Sequence, residues 1–148
     1  MQRRGKIVTA DRAILAAAVA LGLLQLVVFV HLYATRIPAL IAARVRSQDI
    51  NTAVLTRLPD VARNAAANYN NLFEAPTLFF ALCGVAVLSG HADGVDAALA
   101  WAYVCLRILH SLIHTTVNIV LLRFSLFSLS WLALSVLLVR CACHLLTS

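Results

Sequence analysis

Charged side chains are scarce in this chain, 12% of 148 residues against 62% that are hydrophobic, for a mean hydropathy of +0.90. That scarcity excludes a soluble domain, because so short a chain cannot hide this much apolar surface from water. Proline and glycine are also few, three and five, which excludes a disordered or linker-rich chain. No internal repeat or low-complexity tract is present. The four cysteines, Cys83, Cys105, Cys141 and Cys143, form no Cys-x-x-Cys pair. The first two lie in apolar runs, where cysteine behaves as a small hydrophobe. Cys141-Ala142-Cys143 falls at a membrane edge, where acylation is an open alternative. The net charge of +6 is scattered, with no basic patch interleaved with aromatics. It therefore points to anionic lipid headgroups as partners and not to nucleic acid.

What is abundant is long apolar sequence. Four stretches approach the ~20 residues that a helix needs to cross the hydrocarbon layer: residues 13–33, 72–89, 95–122 and 124–139. The length leaves room for one domain, 1–148, and no separate soluble module. The expected fold is an all-α membrane protein, a four-transmembrane-helix up-down bundle. Tight connections at Gly90–Gly94 and around Arg123 make the last three helices antiparallel neighbours.

A long polar segment, Ala34 to Asn71, joins the first two spans and carries Arg36, Arg44, Arg46, Arg57 and Arg63. The N-terminal side has Arg3, Arg4, Lys6 and Arg12. The balance of Lys and Arg, with Arg123 added to the loop side, favours a cytoplasmic first loop. The first apolar run is long and lacks a small-residue cleavage site, so it is expected to be a retained helix and not a signal peptide.

Spans one and four are uncharged, whereas spans two and three carry polar groups, and function is to be sought there. In the third, Arg107, Ser111, His114 and Asn118 follow the i, i+4, i+7, i+11 spacing of one helical stripe, with His110 beside it. An ionised arginine near mid-bilayer costs at least ~2.5–3.5 kcal/mol, so the stripe must face the bundle interior or a subunit interface. On the second helix Asn64, Asn68 and Asn71 form a ladder, and Glu74 follows one turn later. Glu74 is read as the only carboxylate within the spans, and the expected partner of Arg107 and the histidines. Pro76 frees a backbone carbonyl one turn earlier, near Leu72 and Phe73, and such a group is tolerated only where protein or water satisfies it.

The cluster admits three uses. It can be a polar staple that fixes helix register. His110 and His114, at i and i+4, can ligate a metal or haem with Glu74 as a third ligand. Or it can hold an anionic polar cosubstrate entering from the membrane interface, its carboxylates on Arg107 and Arg123 and an ammonium group on Glu74. If the third helix continued through residue 123, those two arginines would lie ~24 Å apart, from 1.5 Å of rise per residue.

Two segments, Asn68-Tyr69-Asn70-Asn71-Leu72-Phe73-Glu74-Ala75-Pro76 and Arg107-Ile108-Leu109-His110-Ser111-Leu112-Ile113-His114 leading to Arg123-Phe124, resemble the membrane-associated proteins in eicosanoid and glutathione metabolism (MAPEG), the bacterial members most closely. The resemblance runs from about Arg63 to the C-terminus. It implies a homotrimer of four-helix subunits with glutathione as cosubstrate at subunit interfaces; a bacterial inner membrane is the expected location, and no metal is expected. It also implies that Asn71, Glu74, Arg107, His110 and His114 bind glutathione and that Arg123 stabilises its thiolate, the nucleophile. The second substrate would be a lipophilic electrophile or hydroperoxide, and the activity that of a glutathione-dependent transferase or peroxidase. Two positions depart from the pattern. Asn70 stands where glutathione-using relatives often have Arg, and His114 where several have Tyr. The alternative is a non-catalytic membrane protein whose polar cluster serves trimer assembly or binds a different small ligand.

Overall fold

The computed structural model describes residues 2–147, and side chains from 9 to 146. The side chains of Arg3, Arg4 and Lys6, counted above for orientation, lie outside that range. Helix α1 spans Gln2–Ala42, with no proline before Pro38 to interrupt it. Thr35 Oγ1 turns back onto the carbonyls of His31 and Leu32, at 2.9 and 3.0 Å. The helix closes in a Schellman motif: Val45 N–H reaches the Leu40 carbonyl at 3.1 Å and Arg44 N–H that of Ile41 at 3.0 Å. Arg44 itself takes the left-handed conformation, φ 53°, where glycine is the usual residue.

A connection follows, with one 3₁₀ turn (Ser47–Asp49) and the single-turn helix α2 (Thr52–Leu55), capped by Asn51 Oδ1 accepting from Val54 N–H at 3.1 Å. Helix α3 (Asp60–Glu74) and helix α4 (Pro76–Leu88) make one membrane span with a break at Ala75. Helices α5 (Gly94–Thr115) and α6 (Val120–Thr147) complete the set. Among the described residues there is no strand.

Among the described residues, four helical segments are long and apolar enough to cross a membrane: Thr9–Ala42, Asp60–Leu88, Gly94–Thr115 and Val120–Leu146. This is the expected four-span bundle, with revised boundaries. The first span runs on to Ala42 and the second starts at Asp60, so the polar segment expected over 34–71 is mostly helix. The third ends at Thr115, not 122, and the fourth begins before Arg123 and continues past 139. Hydropathy under-reads the second span because Asn64, Asn68 and Asn71 of α3 turn inward, where their polarity faces protein and not lipid.

Helix α5 sits at the centre, packed against α1, α3, α4 and α6. The first and fourth spans are the least buried, 22% of their apolar windows against 39% and 44% for the middle two. Lipid tails are as apolar as leucine, so close packing, not exclusion from water, must hold such helices together. Ala17, Ala65, Ala86 and Ala100 are all buried at the contacts and let the backbones approach. Phe79 of α4 stacks on Tyr103 of α5 with ring centroids 4.6 Å apart.

The N-terminal end of α5 is fastened by charge. Asp93 Oδ1 accepts from the N–H groups of Val95 and Asp96, at 2.8 and 3.1 Å, and Asp96 Oδ2 from Asp93 N–H at 3.1 Å, a capping box. From α6, Arg140 Nε donates to Asp96 Oδ1 at 2.6 Å and Nη2 to Asp93 Oδ2 at 2.8 Å. Each carboxylate oxygen of the pair therefore has a partner. Asp96 is 1% exposed, so Glu74 is not the only carboxylate within the spans, and the buried one is Asp96.

Candidate functional site

The break at Pro76 sets the site. A proline has no N–H to offer the carbonyl four residues back, here that of Leu72. Gln25 Nε2 of α1 donates to that carbonyl at 3.0 Å, so the freed group is satisfied by protein. One residue earlier, the Asn71 carbonyl accepts a hydrogen bond from Arg107 Nη2 of α5. The proline step thus frees one inward-facing backbone acceptor, which α1 fills, and α5 adds a hydrogen bond to the carbonyl beside it.

The polar stripe of α5 is buried as its spacing requires. Arg107 is 0% exposed, and His110, Ser111 and His114 are all buried. The guanidinium carbon of Arg107 lies 5.6 Å from the centroid of the Phe127 ring on α6, a cation–π distance. Its Nε and Nη1 have no hydrogen-bond partner, and among the described residues no carboxylate pairs with it. His110 and His114 meet edge to face, centroids 5.6 Å apart at 87°. His110 Nδ1 sits 3.0 Å from the Arg123 carbonyl. Both ring nitrogens of His114 and Nε2 of His110 are without a partner.

Arg123 reaches this group because α5 does not continue through it. The chain reverses over residues 116–119. Asn118 takes the left-handed conformation, φ 49°, and its N–H turns back to the Ile113 carbonyl at 2.7 Å. Asn118 therefore leaves the α5 stripe on which it was expected. Its Oδ1 accepts from Arg123 Nη1 at 2.7 Å, while its Nδ2 donates to Asn64 Oδ1 at 3.3 Å. The separation derived for a continuous helix does not apply, and the backbone of Arg123 lies beside His110.

A cavity of about 190 Å³ opens between these elements, lined by Asn71, His110, Val120, Arg123, Phe124 and Phe127. Of the expected site residues, Asn71, His110 and Arg123 line it, and Arg107 reaches it through the Asn71 carbonyl. His114 packs on His110 from behind. Glu74 does not join them. It is exposed on the outer side of the subunit and forms no ion pair with Arg107. The reason is rotational: at 100° per residue Glu74 is turned ~120° from Asn68, and the ladder does not extend to it.

The same displacement dismantles the three-ligand set of His110, His114 and Glu74 within one subunit. A different trio, Asp93, Asp96 and His144, has ligand atoms within 4.8 Å of one another, but the Arg140 guanidinium already holds both carboxylates. Gln25, Asp96 and Phe127 were not singled out from sequence. Only Asp96 carried a local signal, the Asp-x-x-Asp spacing of a cap before an apolar run.

Comparison with known proteins gives one match. The model of the MAPEG family covers residues 14–143. No curated protein and no solved structure matches the chain.

Proposed function

We propose, from the premise that this chain belongs to the MAPEG family, that it is a glutathione-dependent membrane transferase or peroxidase acting on lipophilic electrophiles. One observation carries the proposal: a buried arginine with two idle donor nitrogens and no counter-ion lies one hydrogen bond, to the Asn71 carbonyl, from a cavity lined by a second arginine. Burying an unpaired guanidinium is costly, and anionic oxygens of a ligand are the chemistry that offsets it. Glutathione brings two carboxylates.

The cavity in one subunit is smaller than the ~300 Å³ or more of a pocket for a drug-sized ligand. A tripeptide therefore fits only in part, and the remainder must lie over the outer face of the subunit. Glu74 is exposed on that face within a membrane-spanning segment, where a bare carboxylate against lipid is unfavourable. A homotrimer resolves both points, with a neighbouring copy covering Glu74 and completing the glutathione site.

Within that site Arg123 has the role of holding the thiolate. A guanidinium beside a thiol favours the anion, and the thiolate is the nucleophile. In a transfer reaction the sulfur–carbon bond forms as the bond to the leaving group breaks, the thiol proton having passed to solvent. Asn118, 2.7 Å from Arg123 Nη1, orients the guanidinium.

A second reading has its own support. Arg107 also ties the Asn71 carbonyl to the Phe127 ring, joining three helices, and Asn70 and His114 depart from the glutathione-using pattern. On that reading the cluster serves assembly or another small ligand. Calorimetry with glutathione on the purified protein, and on its Arg123→Ala and Glu74→Ala variants, separates the two. Binding that both substitutions weaken supports the enzyme; an assembled protein that takes up no glutathione supports the alternative.

A further inference from the structure

Helix α5 has a second polar side that the glutathione reading leaves unused. Next to His110, which faces the Arg123 cavity, Ser111 is turned by ~100° toward another cavity of about 200 Å³ between α1, α3 and α5. Val27, Ile108 and Leu112 give it apolar walls, and His31, Asn68 and Ser111 supply polar atoms. Asn68 is 1% exposed and Ser111 4%. Neither Oδ1 nor Nδ2 of Asn68 has a partner, nor does Ser111 Oγ or His31 Nε2. Folded proteins leave few buried polar atoms idle, and here four surround one space.

We infer that this is a second ligand site, taking one neutral amphiphile from the membrane with its hydroxyl or carbonyl head on Asn68 and Ser111. An amide offers a donor nitrogen and an acceptor oxygen, and a hydroxyl both gives and takes, so a single alcohol group can pair with Asn68 at both atoms or bridge it to Ser111. No arginine, lysine or carboxylate lines the cavity, so an ionised head would lack a counter-charge in a membrane-spanning segment. Thr115, also at the rim, does not compete, because its Oγ1 donates to the Ser111 carbonyl at 2.9 Å. Val27 and Leu112 are 63% and 55% exposed, so the cavity opens on the outer surface of the subunit within its membrane-spanning segments. The head and first carbons fit inside, and the rest of the chain stays in the bilayer. The inference does not depend on glutathione binding.

Photolabelling in nanodiscs tests it, with a long-chain alcohol bearing a diazirine near its hydroxyl and with labelled residues mapped by mass spectrometry. Label is expected to concentrate on Val27, Ile108 and Leu112. Dodecanol should compete and dodecane should not. Ser111→Ala should weaken dodecanol competition by about tenfold, the equivalent of one hydrogen bond. Asn68→Leu should abolish the preference for alcohol over alkane. Val27→Trp, a change at an exposed position, should plug the entrance and remove the label without lowering the melting temperature; if that variant fails to fold, the one-atom change at Ser111 carries the test. Label spread evenly over the lipid-facing residues of all four spans, or equal competition by dodecane, overturns the inference, and a cavity that holds only water gives that result.

Discussion

Gln25 of α1 closes, at 3.0 Å, the backbone gap that Pro76 opens at the carbonyl of Leu72. The first two spans are thereby joined at the height where the polar cluster begins. Gln25→Leu should leave that carbonyl unsatisfied and destabilise the protein by about 1–2 kcal/mol. Pro76→Ala in the same background should recover most of the loss, because an alanine N–H can bond the carbonyl within the helix. Denaturation of the four proteins of this cycle in detergent checks both steps, and an unchanged Gln25→Leu variant would show that the contact carries no weight.

Arg107 separates binding from stapling. With no carboxylate partner, its burial is a cost to the subunit. Arg107→Met, similar in length and apolar, should leave stability unchanged or raise it by up to about 2 kcal/mol. The same change should weaken glutathione binding by roughly 10–100-fold, the loss of one charge-assisted hydrogen bond. A melting temperature that drops together with oligomer dissociation would favour the assembly reading.

Acid should loosen the Asp93–Asp96–Arg140 clamp. Partial burial acts to raise the Asp93 carboxyl, but the N–H groups of Asp96 and Val95 and the Arg140 guanidinium outweigh it and hold the group below its ordinary value. A carboxyl depressed in the folded state contributes stability that is complete above the unfolded value, ~3.9. That contribution is lost as pH falls through the lower folded value. Melting temperatures from about pH 6 down to about pH 3 should fall less steeply for Asp93→Asn than for the parent, both ends of the range bracketing the ~3.9 reference. Parallel curves would exclude Asp93 from the acid response.

Arg44 holds a left-handed backbone at the end of α1. Arg44→Gly should stabilise the chain by a few tenths to about 1 kcal/mol, and Arg44→Val should destabilise it by about 1 kcal/mol, because a β-branched side chain tolerates that conformation least. Thermal unfolding of the pair reads the difference, and equal melting temperatures would contradict the motif's closure.

Much of this was legible in the sequence. Hydropathy located four spans because apolar residues are dense and charges few. The 3.6-residue period kept Arg107, His110, Ser111 and His114 on the buried surface of α5. The unsatisfied carbonyl before Pro76 was foreseeable from proline chemistry alone, although its partner Gln25, 47 residues away, was not. Glu74 was misplaced because spacing was followed without its accumulated rotation. The reversal at 116–119 has no glycine or proline to announce it; Asn118 makes it by adopting a positive φ. The Arg140 contact with Asp96 joins residues 44 apart, and no local pattern encodes such a pairing.

The most direct measurement of the central claim is titration of the purified, assembled protein with glutathione, following heat and the ultraviolet absorbance of the thiolate together. The account predicts saturable binding with a thiolate signal in the parent protein, a thiolate signal lost in Arg123→Ala while some binding remains, and weakened binding in Glu74→Ala. Folded, assembled protein that neither binds glutathione nor ionises its thiol would contradict it.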